Sequence, residues 1–251
     1  MQTSVVTEAS AVSVAVCKIC GGNSPLYGVT DFNKNCAEPG GMYLPLTGVP
    51  VYYRCCEHCG LIFTNAFDHW QKADFQQHIY NDDYVRVDPD YVESRPTHNA
   101  TTVLDFIGKG EGLVLLDYGG GDGKLSALLR AHGVDAHSWD PMNAADSAPP
   151  PLSCDVVTAF EVLEHTPTPR ESVAEALGVL NAQGVMLFST STIDHLPARA
   201  IDYWYIAPRN GHITIYSSLA LDTLFAQFGY RVHHFSNNLH LAVKEPPAWL
   251  R

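Results

Sequence analysis

The chain has 251 residues, of which 46% are hydrophobic and only 17% charged; 15 Lys and Arg stand against 27 Asp and Glu, for a formal net charge of −12. That length can bury a full core and allows one or two domains. No apolar run approaches the roughly 20 residues that cross a bilayer, and basic residues scattered without a run disfavour a nucleic-acid partner, whose phosphates draw on Lys and Arg. A small-molecule partner and no membrane association are expected.

Residues 1–16 carry Glu8, no basic cluster and many small side chains. They read as a flexible lead, not a signal peptide, so cytoplasmic residence is expected. Two pairs follow, Cys17-Lys-Ile-Cys20-Gly21 and Cys56-Glu-His-Cys59-Gly60. A C-x-x-C before glycine has the shape of a zinc knuckle, because two sulfurs on one tight turn can take adjacent corners of a tetrahedron, and two knuckles close a structural site. The competing readings are ordinary buried thiols and a disulfide scaffold. Cys36, Cys55 and Cys154 are left over, and Cys55 or His58 stays open as a substitute ligand. Between the pairs, Pro25, Pro39, Gly40, Gly41, Pro45 and Pro50 rule out a long helix and leave loops with short strands such as 49–54. Residues 17–66 are thus expected to form a zinc-knuckle module, 67–77 a linker, and 78–251 a second domain.

In that second part, 97–107 reads as a helix, and Leu113-Val-Leu-Leu-Asp117-Tyr-Gly119-Gly-Gly121-Asp-Gly123-Lys124 as a buried parallel strand that ends in a compressed glycine turn and hands over to a helix at 125–132. Spacing separates the possible glycine-loop chemistries. A P-loop in register with Gly123-Lys124 would need glycine at 118 and Ser or Thr at 125, where Tyr118 and Leu125 stand. A dinucleotide fingerprint would end on Lys124 or Ser126, and neither fits G-x-G-x-x-G/A. The remaining pattern, Asp117-x-Gly119-x-Gly121-x-Gly123, resembles the first motif of class I S-adenosylmethionine (SAM) methyltransferases. The resemblance implies that the glycine turn passes under the amino-acid end of SAM and that Asp117 helps to hold its ammonium group.

Further marks follow in order. A short strand at 134–139 closes on Asp140-Pro141, with Asp140 placed 21 positions after Gly119 to accept hydrogen bonds from ribose hydroxyls. A buried strand from Asp155 then ends in Phe160-Glu161-Val-Leu-Glu164-His165. This resembles the motif after the fourth strand of the same methyltransferases, which implies Phe160 and Glu161 beside the adenine and the cofactor cleft, and His165 near the sulfonium. The resemblance also implies that Tyr80 and Tyr84 are lid residues over the cofactor, with plain packing an equal reading of both. Taken singly, the bland alternatives are a tight turn, turn punctuation at Asp140-Pro141 and a solvated helical turn at Glu161 and Glu164.

The fold implied is an α/β, Rossmann-like seven-stranded methyltransferase sheet preceded by the zinc module. The proline-rich stretch up to Asp155, with Pro149, Pro150 and Pro151, leaves the third strand abbreviated. Apolar spacing at Val173, Leu177 and Leu180 predicts a helix over 169–180, then a buried strand over 185–189, a helix over 219–228 capped by Gly229, and a closing hairpin over 231–244 turning at Asn237-Asn238. The long loop 189–217 contains Tyr203-Trp204-Tyr205, Pro208-Arg209-Asn210-Gly211-His212 and Tyr216-Ser217. It lies where an α/β sheet builds its substrate pocket, although a hydrophobic cover over the sheet is an equal reading.

A cysteine-knuckle module directly before a SAM domain resembles sugar C-methyltransferases that act on nucleotide-linked deoxysugars, except that this chain has no room for their further C-terminal domain. His212 resembles the histidine in the corresponding loop of those enzymes and is the candidate general base; His165, then His195 and His78, are the other candidates, and Tyr203, Tyr205 or Arg209 can orient the substrate. The reading is a SAM-dependent methyltransferase of a sugar-like or secondary-metabolite acceptor, with SAM and structural Zn2+ as cofactors. Its rivals are a zinc-module-guided RNA methyltransferase and a non-catalytic SAM-binding protein.

Overall fold

The structure is a computed structural model that describes residues 14–91, 94–108, 112–143, 148–197 and 200–250; most of the expected N-terminal lead lies outside them. The first knuckle is bracketed by a two-stranded ribbon, β1 (Ala15–Val16) against β2 (Asn23–Ser24). β3 (Leu26–Asp31), β4 (Pro50–Cys55) and β5 (Ile62–Thr64) then pair antiparallel in sequence order. The second knuckle forms the turn between β4 and β5, with Gly60 at φ +74 where a side chain would be strained.

Residues 67–77 are anchored by two buried side chains, Phe67 and Phe75, while most of the others are exposed, and a helix, α1 (Lys72–His78), covers the second half. A short helix α2 (Tyr84–Val87) and the longer α3 (Ser94–Ile107) lead to the main sheet. Its strands are β6 (Val114–Tyr118), β7 (Asp135–Trp139), β8 (Cys154–Phe160) and β9 (Leu180–Ser189), joined by helices α4 (Lys124–Ala131) and α5 (Pro169–Gly178). β10 (Thr214–Ile215), helix α6 (Ser218–Ala226) and the hairpin β11 (Arg231–His234) and β12 (Leu239–Val243) finish the chain.

The sheet order is β11-β12-β9-β8-β6-β7, with the last four strands parallel and the hairpin antiparallel. It is an α/β methyltransferase sheet with six strands; among the described residues no strand lies between β7 and β8, where the three consecutive prolines remove ladder donors. Successive residues of the central strands point to opposite faces and build two cores. Leu115, Val156, Val185 and Leu187 pack on α3 and α4 through Val103, Ile107, Leu125 and Leu129. Leu116, Val157, Met186 and Phe188 pack on α5 and α6 through Val173, Leu177, Leu221 and Phe225. Burial on both faces is why these strands read as continuous apolar runs.

Two boundaries differ from expectation. The helix predicted to Leu180 stops at Gly178, and β9 starts at Leu180 instead of 185, because Leu180 already pairs with Cys154 across a bulge. β10 leaves the main sheet altogether. It pairs antiparallel with β5, Thr214 opposite Phe63 and Ile215 opposite Ile62, giving a second sheet of order β10-β5-β4-β3. Phe63 joins the α6 core together with Cys17, Ile19, Cys56 and Cys59, while Ile62 joins a third core with Tyr53, Phe67, Phe75, Tyr205 and Ile213. The cysteine module and the SAM-domain sequence therefore share their hydrophobic interior.

Candidate active site

The four paired cysteines converge. Sγ atoms of Cys17 and Cys59 are 3.6 Å apart, Cys20 and Cys56 3.4 Å, and Cys20 and Cys59 3.6 Å. A tetrahedral zinc with bonds of about 2.3 Å needs sulfurs about 3.8 Å apart, so the cluster fits the ion with an expansion of a few tenths of an ångström. Backbone amides of Ile19 and Cys59 point at the Sγ atoms of Cys17 and Cys56, the polarity that suits thiolate. The hydrogen bond from Cys59 pulls the Cys17 thiol down to about 5. Cys55 and His58 lie outside this group of four.

The second site is a cleft of about 920 Å³ at the carboxyl ends of the parallel strands. Of the residues proposed for the cofactor, Tyr84, Asp117, Gly119, Gly121, Asp140, Pro141, Phe160, Glu161 and His165 all line it; Gly123 does not, and instead starts α4 at φ +78. The glycine turn is cramped on every side. Gly119, at φ +73, leaves 2.6 Å between an ideal Cβ and Val162 Cγ2, and its amide donates to the Trp139 carbonyl at 2.8 Å. Asp140 fixes the turn from beneath: Gly121 N donates to Oδ2 at 2.9 Å, and Met142 N to Oδ1 at 2.6 Å. Each oxygen retains a lone pair for a further donor such as a ribose hydroxyl.

Gly120, which spacing arguments pass over, is the most confined. A Cβ there would collide with Asp117 Oδ2 and Ser138 Oγ. Only the bare run of three glycines signals it in the sequence. Asp117 itself is buried and accepts from Thr158 Oγ1 at 2.8 Å.

Burial, reinforced by the charge of Asp140, raises the Asp117 carboxyl to about 7 despite the bond from Thr158. For an acid raised above its unfolded value near 3.8, the folded state holds the proton more tightly; this contribution to stability is complete below pH 3.8 and is lost as pH rises toward 7. A cationic ammonium beside Asp117 favours the charged carboxylate. SAM affinity is therefore expected to rise by up to about tenfold per unit between pH 5 and 7 and then level off. Calorimetry across that range checks it, and Asp117→Asn should flatten the profile.

Glu161 carries the strained backbone of the cleft: it is the one non-glycine residue with positive φ, +54, among the described residues. Ser189 holds it there, its Oγ accepting from Glu161 N at 2.9 Å and donating to Oε1 at 2.8 Å. Beyond it, a three-residue turn carries Glu164 and His165 inward. Glu164 has no exposed surface, so the solvated-turn alternative fails for it. Its Oε1 accepts from the Tyr205 hydroxyl at 2.5 Å, and its backbone carbonyl from Ile213 N at 2.9 Å.

His212 stands behind His165, ring centroids 4.9 Å apart, and is only 6% exposed. Its Nδ1 donates to the Tyr205 carbonyl at 2.9 Å, and its own carbonyl accepts from Tyr53 Oη at 2.7 Å. Burial first of all lowers the His165 imidazole to about 4 and holds His212 well below its ordinary value. Both are neutral bases in form. His165 lines the cleft and His212 does not; Arg209 is locked on Ile79 O and Asn81 Oδ1. His78 lies on a separate small pocket, and His195 packs on Tyr203 outside the cleft.

Among solved structures, magnesium protoporphyrin IX methyltransferase from Synechocystis PCC 6803 is similar over 71% of this chain and 97% of that chain, at 16% identity and TM-score 0.48. An O-methyltransferase family protein from Burkholderia thailandensis is similar over 69% of this chain and 63% of its own, at 15% identity and TM-score 0.49. For mitomycin 7-O-methyltransferase the figures are 67%, 59%, 17% and 0.49. A search of curated protein sequences gives no match. Residues 91–235, more than half of the chain, match the protein family described as "Methyltransferase domain". With that match and an α/β sheet of this order, the chain belongs to the methyltransferase-domain family and is a class I SAM-dependent methyltransferase.

Proposed function

We propose that the protein transfers the methyl group of SAM to a small, sugar-like or secondary-metabolite acceptor by in-line displacement, with the acceptor losing its proton at the Glu164, His165 and His212 cluster. The observation that carries this reading is the cleft itself. At about 920 Å³ it stands near the upper end of the roughly 300–1,000 Å³ typical of small-molecule sites, which leaves room for an acceptor beside the cofactor. Asp117, Gly119 to Gly121 and Asp140 form one wall, Phe160, Glu161 and His165 another, and Trp70, Phe75, Tyr80 and Tyr84 an aromatic roof. The charged positive sulfonium makes methyl transfer intrinsically favourable, so most of the catalysis comes from holding the two reactants in line.

The lining also speaks to the acceptor. Seven acidic residues (Asp82, Asp117, Asp122, Asp140, Glu161, Glu171 and Glu175) face three basic ones (Lys72, Arg95 and Lys124), and Arg95 is held by both carboxylate oxygens of Asp88 at 2.8 and 2.9 Å. Such a wall suits the SAM cation and a neutral or cationic acceptor, and it repels the phosphates of RNA or of a nucleotide-linked sugar. Zn2+ at the four cysteines is structural in this reading, since four protein ligands leave no open position.

The test pairs two variants. Asp140→Ala should weaken SAM binding in calorimetry by about tenfold or more, for loss of the Gly121 and Met142 bonds and of the ribose acceptor. His165→Ala should leave SAM affinity within a few-fold and lower single-turnover methyl transfer by about 10²-fold or more. Full turnover by the second variant would move proton loss away from the cluster; SAM binding undiminished in the first would remove the ribose assignment.

A further inference from the structure

The Glu164, His165 and His212 cluster brings together two buried polar atoms without a partner and a ring nitrogen that presents a lone pair. One carboxylate oxygen and one ring nitrogen from each histidine lie within 4.8 Å of one another. Glu164 Oε2 and His165 Nδ1 are both fully enclosed and have no hydrogen-bond partner among the described residues. The tautomer of His212 is fixed by its surroundings: a carbonyl can only accept, so Nδ1 carries the hydrogen toward Tyr205 O and Nε2 carries a lone pair. Gly211, at φ +83, lets His165 Nδ1 sit 3.0 Å from the place of its missing Cβ, so no side chain there fills the space. A buried carboxyl oxygen and a buried imidazole nitrogen left without partners are costly, because each has given up its water and gained nothing in exchange. A positive centre among them removes that cost.

We propose that this cluster is a second metal site, in which Glu164 Oε2, His165 Nδ1 and His212 Nε2 hold a divalent transition-metal ion. Two imidazoles and one carboxylate are a donor set for Zn2+, Mn2+ or Fe2+, and not for Mg2+ or Ca2+, which take all-oxygen ligands. Bonds of about 2.0–2.2 Å place tetrahedral ligand atoms about 3.3–3.6 Å apart, so atoms within 4.8 Å of one another have to close by up to about 1.5 Å, a shift that turning the side chains about their χ angles can supply. The Tyr205 hydroxyl on the other oxygen of Glu164, and the Tyr205 carbonyl on Nδ1 of His212, are the outer partners that orient two of the three ligands. The ion would fasten the turn after β8 to the loop that carries Tyr205 and His212, and its charge would lower the pKa of an acceptor oxygen brought against the wall at His165. This inference rests on the cluster being the place of proton loss; with the cation bound, the histidines would act as its ligands, its charge would acidify the acceptor, and the acceptor's proton would pass to solvent in the open cleft.

Full-length protein grown with zinc, manganese and iron should contain about two metal equivalents per chain by mass spectrometry. Glu164→Gln should contain about one, with SAM affinity retained in calorimetry. After exchange into Co2+, the wild type should show thiolate charge-transfer bands from the four cysteines together with weaker bands of a nitrogen and oxygen site; Glu164→Gln and His212→Ala should lose only the latter, and the surviving thiolate bands report that each variant is folded. One equivalent in the wild type with thiolate bands alone, or two equivalents that survive both substitutions, would overturn the second site. Loss of SAM binding by the wild type would instead count against the methyltransferase reading, whatever the metal content.

Discussion

Removing metal from the four-cysteine cluster is expected to unfold the whole protein, not only its first 66 residues. Structural zinc held by cysteine contributes apparent binding free energy on the order of 10 kcal/mol, against about 5–15 kcal/mol for the stability of an entire protein. The reason the loss spreads is packing. Cys17, Cys56 and Cys59 belong to the same core as Leu221 and Phe225 of α6, Ser217 Oγ donates to Cys59 O at 2.6 Å while also capping α6 through Ala220 N at 3.0 Å, and Gln227 donates to Ile19 O at 3.1 Å. A knuckle that loosens therefore releases a helix N-cap on the far side of the sequence. Chelation, or Cys59→Ser, should abolish the cooperative thermal transition followed by near-UV and far-UV circular dichroism together. A metal-free sample that melts at the same temperature as the metal-bound one would rule out a structural ion there.

Gly120→Ala is expected to weaken SAM binding about 10²-fold. The added methyl meets Asp117 Oδ2 and Ser138 Oγ, two polar atoms on neighbouring strands and not the flexible end of a long side chain. Relief requires Asp117 to swing away from Thr158, at a cost of about 1.5–3 kcal/mol for a charge-assisted bond, or the turn itself to shift, at about 1–3 kcal/mol for overpacking. Either way the glycine turn and the acid no longer face the cofactor together. Gly178→Ala is the matched control, because nothing lies within 4 Å of its missing Cβ; it should leave affinity unchanged. Equal affinity in both variants would mean that cofactor does not lie against this turn.

The central strands were legible because burial on two faces leaves only apolar residues to choose from, and the turn at Asn237-Asn238 because its residues tolerate the backbone a tight turn needs. Asp140 was legible by spacing, yet its bonds to Gly121 and Met142 were not, since backbone amides leave no mark in a sequence. The burial of Glu164 was not legible, and a solvated turn stayed open as the alternative: an acid is normally solvated, and the Tyr205 hydroxyl that meets it stands 41 positions away. The loop around His212 was ambiguous between pocket and cover for a related reason. Tyr205, Ile206, Ile213 and Tyr216 are all buried, so the loop is largely core, and the aromatic lining of the pocket comes instead from Trp70, Phe75, Tyr80 and Tyr84, in and around α1 and α2.

The pairing of β10 with β5 sets an order of events in synthesis. When β5 leaves the ribosome, its outer edge has no strand to bond, and Ile62 and Phe63 lack the partners that later cover them. Those partners arrive only with Thr214 and Ile215, on the order of ten to thirty seconds later at about 5–20 residues per second. Through that interval the nascent chain carries an open apolar edge of the kind that recruits other chains. The cysteine module is thus made before the main sheet and finished only after most of it, and its completion waits on the same loop that places His212 behind His165.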